Sequence, residues 1–186
     1  MKKLLLFSAL IFINHAFSQF NYEKDWATYC GSNGTQIAGN AIDSQGNLYI
    51  AGTIFGNQTD NTTFITPDAH QTEYGGGITD GFIAKYNPDG ELQWATFYGG
   101  SGDDAVGGIT IGVDDTIYIA GGTKSANNIA TPGTFQPTQP AGNGSAGFIA
   151  KFSASGVLVW GTYYFDDTSI AQIKHQNGFL IITGWG

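Results

Sequence analysis

A twenty-residue segment occurs twice in this sequence. GFIAKYNPDGELQWATFYGG occupies residues 81–100, GFIAKFSASGVLVWGTYYFD occupies residues 147–166, and ten of the twenty positions are identical without a gap. An internal repeat has to be interpreted before any single motif, because each copy is expected to fold into the same supersecondary unit. The repeat therefore limits the possible folds more strongly than any other feature of the chain.

Three phrases recur in the same order and define a period near 67 residues. Trp26, Trp94 and Trp160 begin the phrases WATYCG, WATFYG and WGTYYF, at spacings of 68 and 66 residues. The phrase GFIAK occurs twice, and a third phrase occurs as NLYIAGT, TIYIAGG and FLIITGW, at residues 47–53, 116–122 and 179–185. The chain after residue 18 thus contains about two and a half periods, with blade-like units starting near residues 26, 94 and 160.

Each period is predicted to form four short antiparallel strands. The segments YIAG, FIAKYN and LQWATFY are rich in β-branched and aromatic residues and are bounded by Gly, Asn, Asp or Pro. Hairpin turns are predicted at residues 44–47, 87–90 and 153–156, where glycine can adopt a positive φ. Residues 54–79 and 123–146 are polar and are interpreted as long surface connections. The expected strands are Ile109–Val113, Ile117–Gly121, Phe82–Tyr86 and Leu92–Tyr98.

The repeated four-stranded unit is typical of a β-propeller blade. Ala51-Gly52 and Ala120-Gly121 are expected to let inner strands approach a central axis. The stretch GFIAKYNPDGELQWATFYGGSGDDAVGGI followed by TIYIAGGT resembles the SBBP family, the β-propeller repeat of bacterial secreted proteins. The middle copy matches throughout, whereas the first has Ser32-Asn33-Gly34 in place of the aspartate pair and the third has Phe165-Asp166 in place of Gly-Gly. This resemblance implies a fold and secretion, but it supplies no active-site residues.

The number of blades raises a question about closure. Propellers close with 4–8 blades, and two and a half periods are too few. Either the sequence is a piece of a longer protein, which is the favoured expectation, or several copies assemble. Open blades would otherwise expose sheet edges and one apolar face.

The first eighteen residues have the layout of a cleaved secretory signal. Lys2 and Lys3 precede an apolar run from Leu4 to Ile13, and Ala16-Phe17-Ser18 favours cleavage before Gln19. The apolar run is shorter than the ~20 residues that a membrane span needs. We therefore expect a repeat segment over residues 19–186 that is exported and located outside the cell or at the outer cell surface. No later segment of the sequence has the composition of a transmembrane helix.

The charge of the chain argues against several classes of partner. There are seven lysines, no arginine and fifteen acidic residues, for a net charge of −8. Nucleic-acid binding requires clustered basic residues, so this class is excluded, and binding to an anionic membrane surface is disfavoured. The single cysteine, Cys30, cannot form an internal disulfide, so packing has to stabilise the fold. Cys30 stands where the other repeats have Tyr98 and Tyr164, which indicates a packing position on a strand.

Three aspartate pairs are the candidates for acid chemistry. Asp103-Asp104 follows glycines and could belong to a Ca²⁺ loop, although it lacks the spacing of an EF-hand, so a polar turn is the preferred interpretation. Asp114-Asp115 and Asp166-Asp167 could contribute to glycoside hydrolysis, but neighbouring strand residues point to opposite faces. A catalytic pair of carboxylates contributed by different blades remains an alternative. No catalytic, metal or cofactor residue is assigned.

Other recurring residues are predicted to have structural roles. Lys85 and Lys151 are expected to meet a carboxylate or to cover apolar surface. The three tryptophans are expected to pack between blades, with sugar stacking as the alternative. His70 and His175 occupy unrelated positions in the period and form no zinc pattern. The glycine clusters at 75–77 and 121–122 open no helix, so a phosphate cradle is not expected.

These observations favour a secreted, non-catalytic β-propeller scaffold without a cofactor. The long connections are expected to present the surface that contacts an unidentified protein or glycan, and neighbouring blades are the other expected contacts. The alternative is a fragment of a carbohydrate-active propeller enzyme that uses carboxylates from several blades. Convergent acidic side chains with perturbed pKa values would indicate the enzyme, whereas outward-pointing turn carboxylates would indicate the scaffold.

Overall fold

The chain folds into three antiparallel sheets that form a propeller-like array. The computed structural model describes residues 27, 30–31, 34–56, 64–142 and 144–186. Two sheets have four strands in sequential order, and the third has two strands. No α-helix occurs among these residues. The strands are β1 (Thr35–Ile42), β2 (Leu48–Phe55), β3 (Thr79–Tyr86), β4 (Leu92–Tyr98), β5 (Asp104–Ile111), β6 (Ile117–Thr123), β7 (Ala146–Phe152), β8 (Leu158–Asp166), β9 (Ser169–Gln176) and β10 (Phe179–Trp185).

The first and second sheets are copies of one blade. β3 pairs with β2 so that Phe82 lies opposite Gly52, and β7 pairs with β6 so that Phe148 lies opposite Gly121. The predicted four-stranded blades, and the count of about two and a half blades, are therefore confirmed. We call β1–β4 the first blade, β5–β8 the second blade and β9–β10 the third sheet.

Aromatic and aliphatic side chains hold each sheet against the next. Tyr98 of the first blade is fully buried, and its ring lies 5.2 Å from the ring of Phe148 and 5.6 Å from that of Phe152 in the second blade. The other face of the second blade packs Ile149 against Ile170 and its neighbours in the third sheet. Each blade is thus covered by its neighbour, as alternation of side chains across a strand requires.

The predicted hairpin turns are present. Asp43, Asn87 and Ser153 each close a five-residue loop with paired backbone hydrogen bonds. The side chain of Asn87 also accepts the N–H groups of residues 89 and 91, and Asp43 does the same with residues 45 and 47. These local bonds are the reason that Asx residues start such turns.

One strand differs from its predicted position. The innermost strand of the second blade was expected at Ile109–Val113, but β5 spans Asp104–Ile111. The chain turns at Gly112, whose N–H bonds to the carbonyl of Thr116, and Val113–Asp115 forms a short 3-10 turn. The predicted strand therefore extends past the end of β5, because Gly112 and Val113 belong to the turn.

The small residues expected on the inner strands lie on the second strand of each blade. Gly52 and Gly121 are part of β2 and β6, which pair with the first strand of each blade. β1 and β5 each contain a bulge, and a Cβ on Gly52 or Gly121 would overlap the carbonyl of Gln36 or Ala105, which comes shortly before the bulge. Glycine is needed there to accept the bulge.

The two long connections cover the outer strands of their own blades. Residues 56–78 join β2 to β3, and residues 124–145 join β6 to β7. The N–H of Thr66 bonds to the carbonyl of Ala95, and the N–H of Phe97 bonds to the carbonyl of Gln71. Thr131 and Gln136 form the same pair of bonds with β8. The prediction of surface connections over residues 54–79 and 123–146 holds only in part, because Ile54 and Ala146 are fully buried strand residues and Ser125 and Ile129 are buried within the second connection. The described parts of the connections also protect two edge strands.

Several predictions concern residues outside the described ranges. The signal sequence over residues 1–18 and the packing of Trp26 both lie there and stay predictions. In the described part of the chain, no helix has the length and apolar composition needed to cross a bilayer.

The bulge-accepting glycine gives a stability prediction. Gly121→Ala should lower the free energy of unfolding by about 1–3 kcal/mol, because the added methyl group meets backbone that cannot move aside. The measurement is urea denaturation followed by tryptophan fluorescence.

Gly39→Ala is the matched control. Its Cβ would lie 3.5 Å from Ile109 Cγ2, an ordinary van der Waals contact. Equal unfolding midpoints for the two variants would contradict the role assigned to Gly121.

Candidate functional site

The up-and-down strand order gathers the long connections at one end of the blades. Both long connections lie there, together with the β4–β5 link at 99–103 and the β8–β9 link at 167–168. We call this the loop end. The opposite end, which we call the turn end, carries the tight turns of the hairpins.

Two buried carboxylates lie side by side at the loop end. Asp80 is the second residue of β3 and is fully buried, and Asp104 begins β5 and is 1% exposed. A Cβ on Gly99 would come 2.5 Å from Asp80 Oδ1 and 2.9 Å from Asp104 Oδ2. Both carboxylates therefore lie against the same stretch of backbone, at the junction of the first and second blades.

The two carboxylates are satisfied to different degrees. Asp104 Oδ1 accepts the hydroxyl of Thr123, and Oδ2 accepts the N–H of Gly100 and the hydroxyl of Ser125. Asp80 Oδ2 accepts the N–H of Gly75, whereas Oδ1 has no hydrogen-bond partner among the described residues. Ionisation of Asp80 is therefore unfavourable in free energy, because no hydrogen-bond donor in the described part of the chain compensates the negative charge on its buried Oδ1.

The electrostatics follow from this burial. Burial raises the pKa of Asp80 to about 7, with a further contribution from the nearby charge of Asp104. Burial also raises the pKa of Asp104, against the hydrogen bonds from Thr123 and Ser125 that lower it. Both groups thus fulfil one criterion for an active site, a perturbed pKa, but neither is open to solvent.

Asp103, the half-buried member of the predicted pair Asp103-Asp104, has a different environment. Asp103 accepts the N–H of Ile78 at 2.7 Å and pairs with Lys124 at 3.0 Å. These two interactions lower its pKa. Donors rather than cation ligands therefore surround Asp103 and Asp104, which fits a turn that joins two blades. Among the residues that the structure describes, no three His, Cys, Asp or Glu side chains lie together in a way that could hold a metal.

The other two aspartate pairs lie apart from each other. Asp115 is at the turn end and accepts the N–H and hydroxyl of Ser44, so it joins the second blade to the first. Asp167 is at the loop end, where its Oδ1 accepts the hydroxyl of Ser145. The structure therefore does not bring these two pairs together into one acidic site.

A cavity of about 320 Å³ opens at the loop end between the second blade and the third sheet. Its walls combine a carboxylate, an ammonium group, hydroxyls and an indole. They include Asp103, Lys124, Ser145, Thr168 and Trp185. Such a lining can offer hydrogen bonds and an aromatic surface to a polar ligand.

The turn end forms a second cluster, which has a structural character. Lys85 Nζ lies 3.8 Å from a carboxylate oxygen of the buried Asp43 and 5.1 Å from the centre of the Tyr49 ring. Lys85 and the indole N–H of Trp94 both donate to the carbonyl of Ala154, which belongs to the second blade. These contacts confirm the predicted packing of Trp94 between blades and the predicted contact of Lys85 with a carboxylate.

The equivalent residues of the second blade lack this partner. Lys151 lies 5.4 Å from the centre of the Tyr118 ring, and Trp160 lies 6.1 Å from the same ring. Gly112 occupies the place of Asp43, so no carboxylate is available there. Lys151 thus covers apolar surface, which is the other role predicted for it.

The histidines and the cysteine also have defined positions. His70 is exposed, with its ring 5.7 Å from Phe152, and His175 stacks on Tyr118 at 6.0 Å. Cys30 is half-buried against the apolar residues of the first blade, and burial raises the pKa of its thiol. Cys30 packs as predicted, although it lies outside any strand.

Sequence reasoning missed two features of this site. Asp80 was not selected, since nothing in Thr-Asp-Gly-Phe shows that the side chain turns inwards. The segment Thr66–Gln71 was also missed, although Thr-Pro-x-x-x-Gln recurs at Thr131–Gln136. The recurrence of this phrase was the signal that could have identified the segments that bind the outer strands.

Comparison with known proteins gives one weak similarity. The chain is 27% identical over 129 residues to an uncharacterized WD repeat-containing protein, L264, of Acanthamoeba polyphaga mimivirus. The match covers 66% of this chain and 9% of that protein's length. It points to a propeller-type repeat protein, in agreement with the fold. No protein-family model matches the chain, so the resemblance to the SBBP family stays a prediction.

The raised pKa of Asp80 predicts a pH-dependent stability. The folded pKa of about 7 lies above the ordinary aspartate value of ~3.9, so between these values only the unfolded chain has lost the proton. The contribution of Asp80 to the free energy of unfolding should therefore fall as pH rises through this window, by at most about 1.4 kcal/mol per pH unit. Asp80→Asn should remove this loss and be more stable than the wild type at pH 8.

The measurement is chemical denaturation at several pH values, taken as the difference between variant and wild type. Taking this difference cancels the contribution of His70. Desolvation lowers the pKa of His70, so its contribution to the free energy of unfolding rises with pH. Asp89→Asn, at an exposed turn, is the control and should follow the wild-type curve. Parallel curves for Asp80→Asn and the wild type would show that Asp80 does not keep its proton in the folded state.

Proposed function

We propose that the protein is a secreted, non-catalytic β-propeller scaffold whose loop end binds a protein or a glycan at or outside the cell envelope. The observation that carries this proposal is the attachment of both long connections to rigid outer strands. Thr66, Gln71, Thr131 and Gln136 fix the connections by backbone hydrogen bonds. A surface that is ordered before binding loses less conformational entropy when a partner arrives.

The composition and the loop-end cavity support a polar partner. The chain has few charged residues and a negative net charge, which disfavours anionic partners. The cavity offers one ammonium group, Lys124, beside hydroxyl groups and the exposed indole of Trp185. These groups suit sugar hydroxyls or the polar side chains of a protein, since aromatic rings and hydrogen-bond donors both contribute to such contacts.

The alternative is a carbohydrate-active enzyme, and one observation favours it. Asp80 and Asp104 are neighbours with raised pKa values, and a glycosidase needs a carboxylic acid that keeps its proton. Their burial supports the scaffold instead, because a general acid has to reach the glycosidic oxygen. The half-buried Asp103 holds Lys124 in an ion pair and has a lowered pKa, which is the opposite of what a general acid requires.

Export can be tested with the complete coding sequence in a bacterial host. We expect the protein outside the cytoplasm, beginning at Gln19 by intact mass and terminal sequencing, because residues 1–18 have the layout of a signal. Leu6→Arg interrupts the apolar run and should retain the unprocessed chain in the cytoplasm. An unprocessed wild-type protein in the cytoplasm would contradict secretion.

The same purified protein can be assayed on a panel of immobilised glycans and cell-envelope proteins. Binding and product release are measured in the same wells. The proposal expects saturable binding without turnover. Turnover by the wild type that is lost in Asp104→Asn, with the variant's circular dichroism unchanged, would contradict the scaffold and establish the enzyme.

A further inference from the structure

The face of the second blade that turns towards the third sheet repeats a face that is covered in the first blade. His70, Trp94 and Tyr98 on the first blade correspond to Phe135, Trp160 and Tyr164 on the second. In the first blade Tyr98 is fully buried, whereas in the second Tyr164 is partly exposed and Phe135 is 73% exposed. Tyr98 and Tyr164 thus differ in how far they are covered, whereas Trp94 and Trp160 are both half-buried and His70 is itself exposed.

The β7–β8 hairpin covers the face of the first blade. Phe152 of this hairpin lies 5.6 Å from Tyr98 and 5.7 Å from His70. The carbonyl of Ala154 accepts the indole N–H of Trp94 at 3.2 Å, and Gly156 lies against the indole ring, where a Cβ would come within 2.9 Å. The cover therefore consists of an aromatic residue on the first strand and a glycine turn without side-chain bulk.

On the second blade a cleft of about 490 Å³ lies in this place. Pro132, Phe135, Val159 and Trp160 line it. Val159 is 52% exposed, in addition to Phe135. The cleft is mainly apolar, and its residues Phe135 and Trp160 are equivalent to His70 and Trp94, which contact the β7–β8 hairpin on the first blade.

The third sheet offers a pairing edge next to this cleft. β9 pairs with one edge of β10, and no strand of the described chain pairs with the other edge. Phe179, Ile181 and Trp185 of β10 are 71%, 48% and 69% exposed. An unpaired strand with apolar side chains is a template for another strand.

The repeat fixes the register of such a strand. Gly184 of β10 corresponds to Gly52 and Gly121. A Cβ on any of the three would overlap a backbone carbonyl of the preceding strand, just before that strand's bulge. Phe82 and Phe148 lie opposite Gly52 and Gly121. A strand that continues the pattern therefore places its aromatic residue opposite Gly184 and its lysine opposite Ile181.

We propose that Phe135, Trp160, Tyr164 and the free edge of β10 form an acceptor site for one kind of partner. The partner is an antiparallel β-hairpin whose first strand reads Gly-aromatic-Ile-Ala-Lys and whose turn contains glycine. Pairing with β10 supplies the main-chain hydrogen bonds, and the turn fills the apolar cleft. This site adjoins the loop end, because Phe135 lies in the connection at residues 124–145 and Trp185 also lines the loop-end cavity. Hairpin binding and the binding of glycans or envelope proteins are measured in separate assays, so each proposal can fail without the other.

The probe is a synthetic hairpin with the sequence of residues 79–98 of this chain, labelled with a fluorophore, and binding to the full chain is measured by anisotropy. We expect saturable binding and slower hydrogen exchange of the amides in Phe179–Trp185, because these amides become paired. An isolated hairpin is only marginally ordered, so a backbone-cyclised form is measured beside the linear one. A scrambled peptide of the same composition should not bind.

The matched protein variants are Phe135→Ala and Val113→Ala, which truncate apolar side chains of similar exposure, 73% and 67%. Phe135→Ala should weaken binding about tenfold, equivalent to about 1.4 kcal/mol, and Val113→Ala should leave it unchanged. Absence of binding by both hairpin forms, or equal binding to both variants, would overturn the proposal. Self-association of the chain that Phe135→Ala abolishes and the hairpin cannot compete would also overturn it, in favour of a second copy as occupant.

Discussion

The structure depends on the packing of one twisted sheet against the next. A single sheet has two faces, and the alternation of side chains makes both faces of β2, β3, β6 and β7 apolar. Burying one aromatic or aliphatic side chain contributes roughly 1.5–3 kcal/mol, and the junction of the first and second blades buries many of them. Exposed ion pairs contribute ~0–1 kcal/mol, and the single cysteine allows no internal disulfide. Hydrophobic contact between blades is therefore the main source of stability, and each blade needs a neighbour.

The repeat made a large part of this fold predictable. β3, β4, β7 and β8, with their turns, follow from local signals, namely β-branched and aromatic residues between glycine-containing turns. The bulges in β1 and β5 were not predictable, because a bulge depends on the partner strand. The role of Gly52 and Gly121 was not predictable for the same reason: a small residue is needed where backbone approaches, and sequence does not show which backbone.

The candidate site was less predictable than the fold. Asp103 and Asp104 were identified as a pair, yet they have opposite environments, since one side chain turns to Lys124 and the other into the blade junction. The burial of Asp80 depends on the glycine loop at 75–77, which is distant in sequence from Gly99. Long-range contacts of this kind leave no periodic pattern. The proposed binding surface likewise depends on connections that bond to β4 and β8. The only sequence signal for this attachment was the repeated Thr-Pro-x-x-x-Gln phrase.

The central claim is that the blades stabilise one another, and hydrogen exchange of Tyr98→Ala tests it directly. Tyr98 belongs to the first blade and packs on Phe148 and Phe152 of the second. The substitution should cost about 3–5 kcal/mol. If the claim holds, exchange in Ala146–Phe152 accelerates together with exchange in Thr79–Tyr98. Unchanged protection in Ala146–Phe152, with acceleration confined to the first blade, would show that the blades are stable independently and would contradict the account.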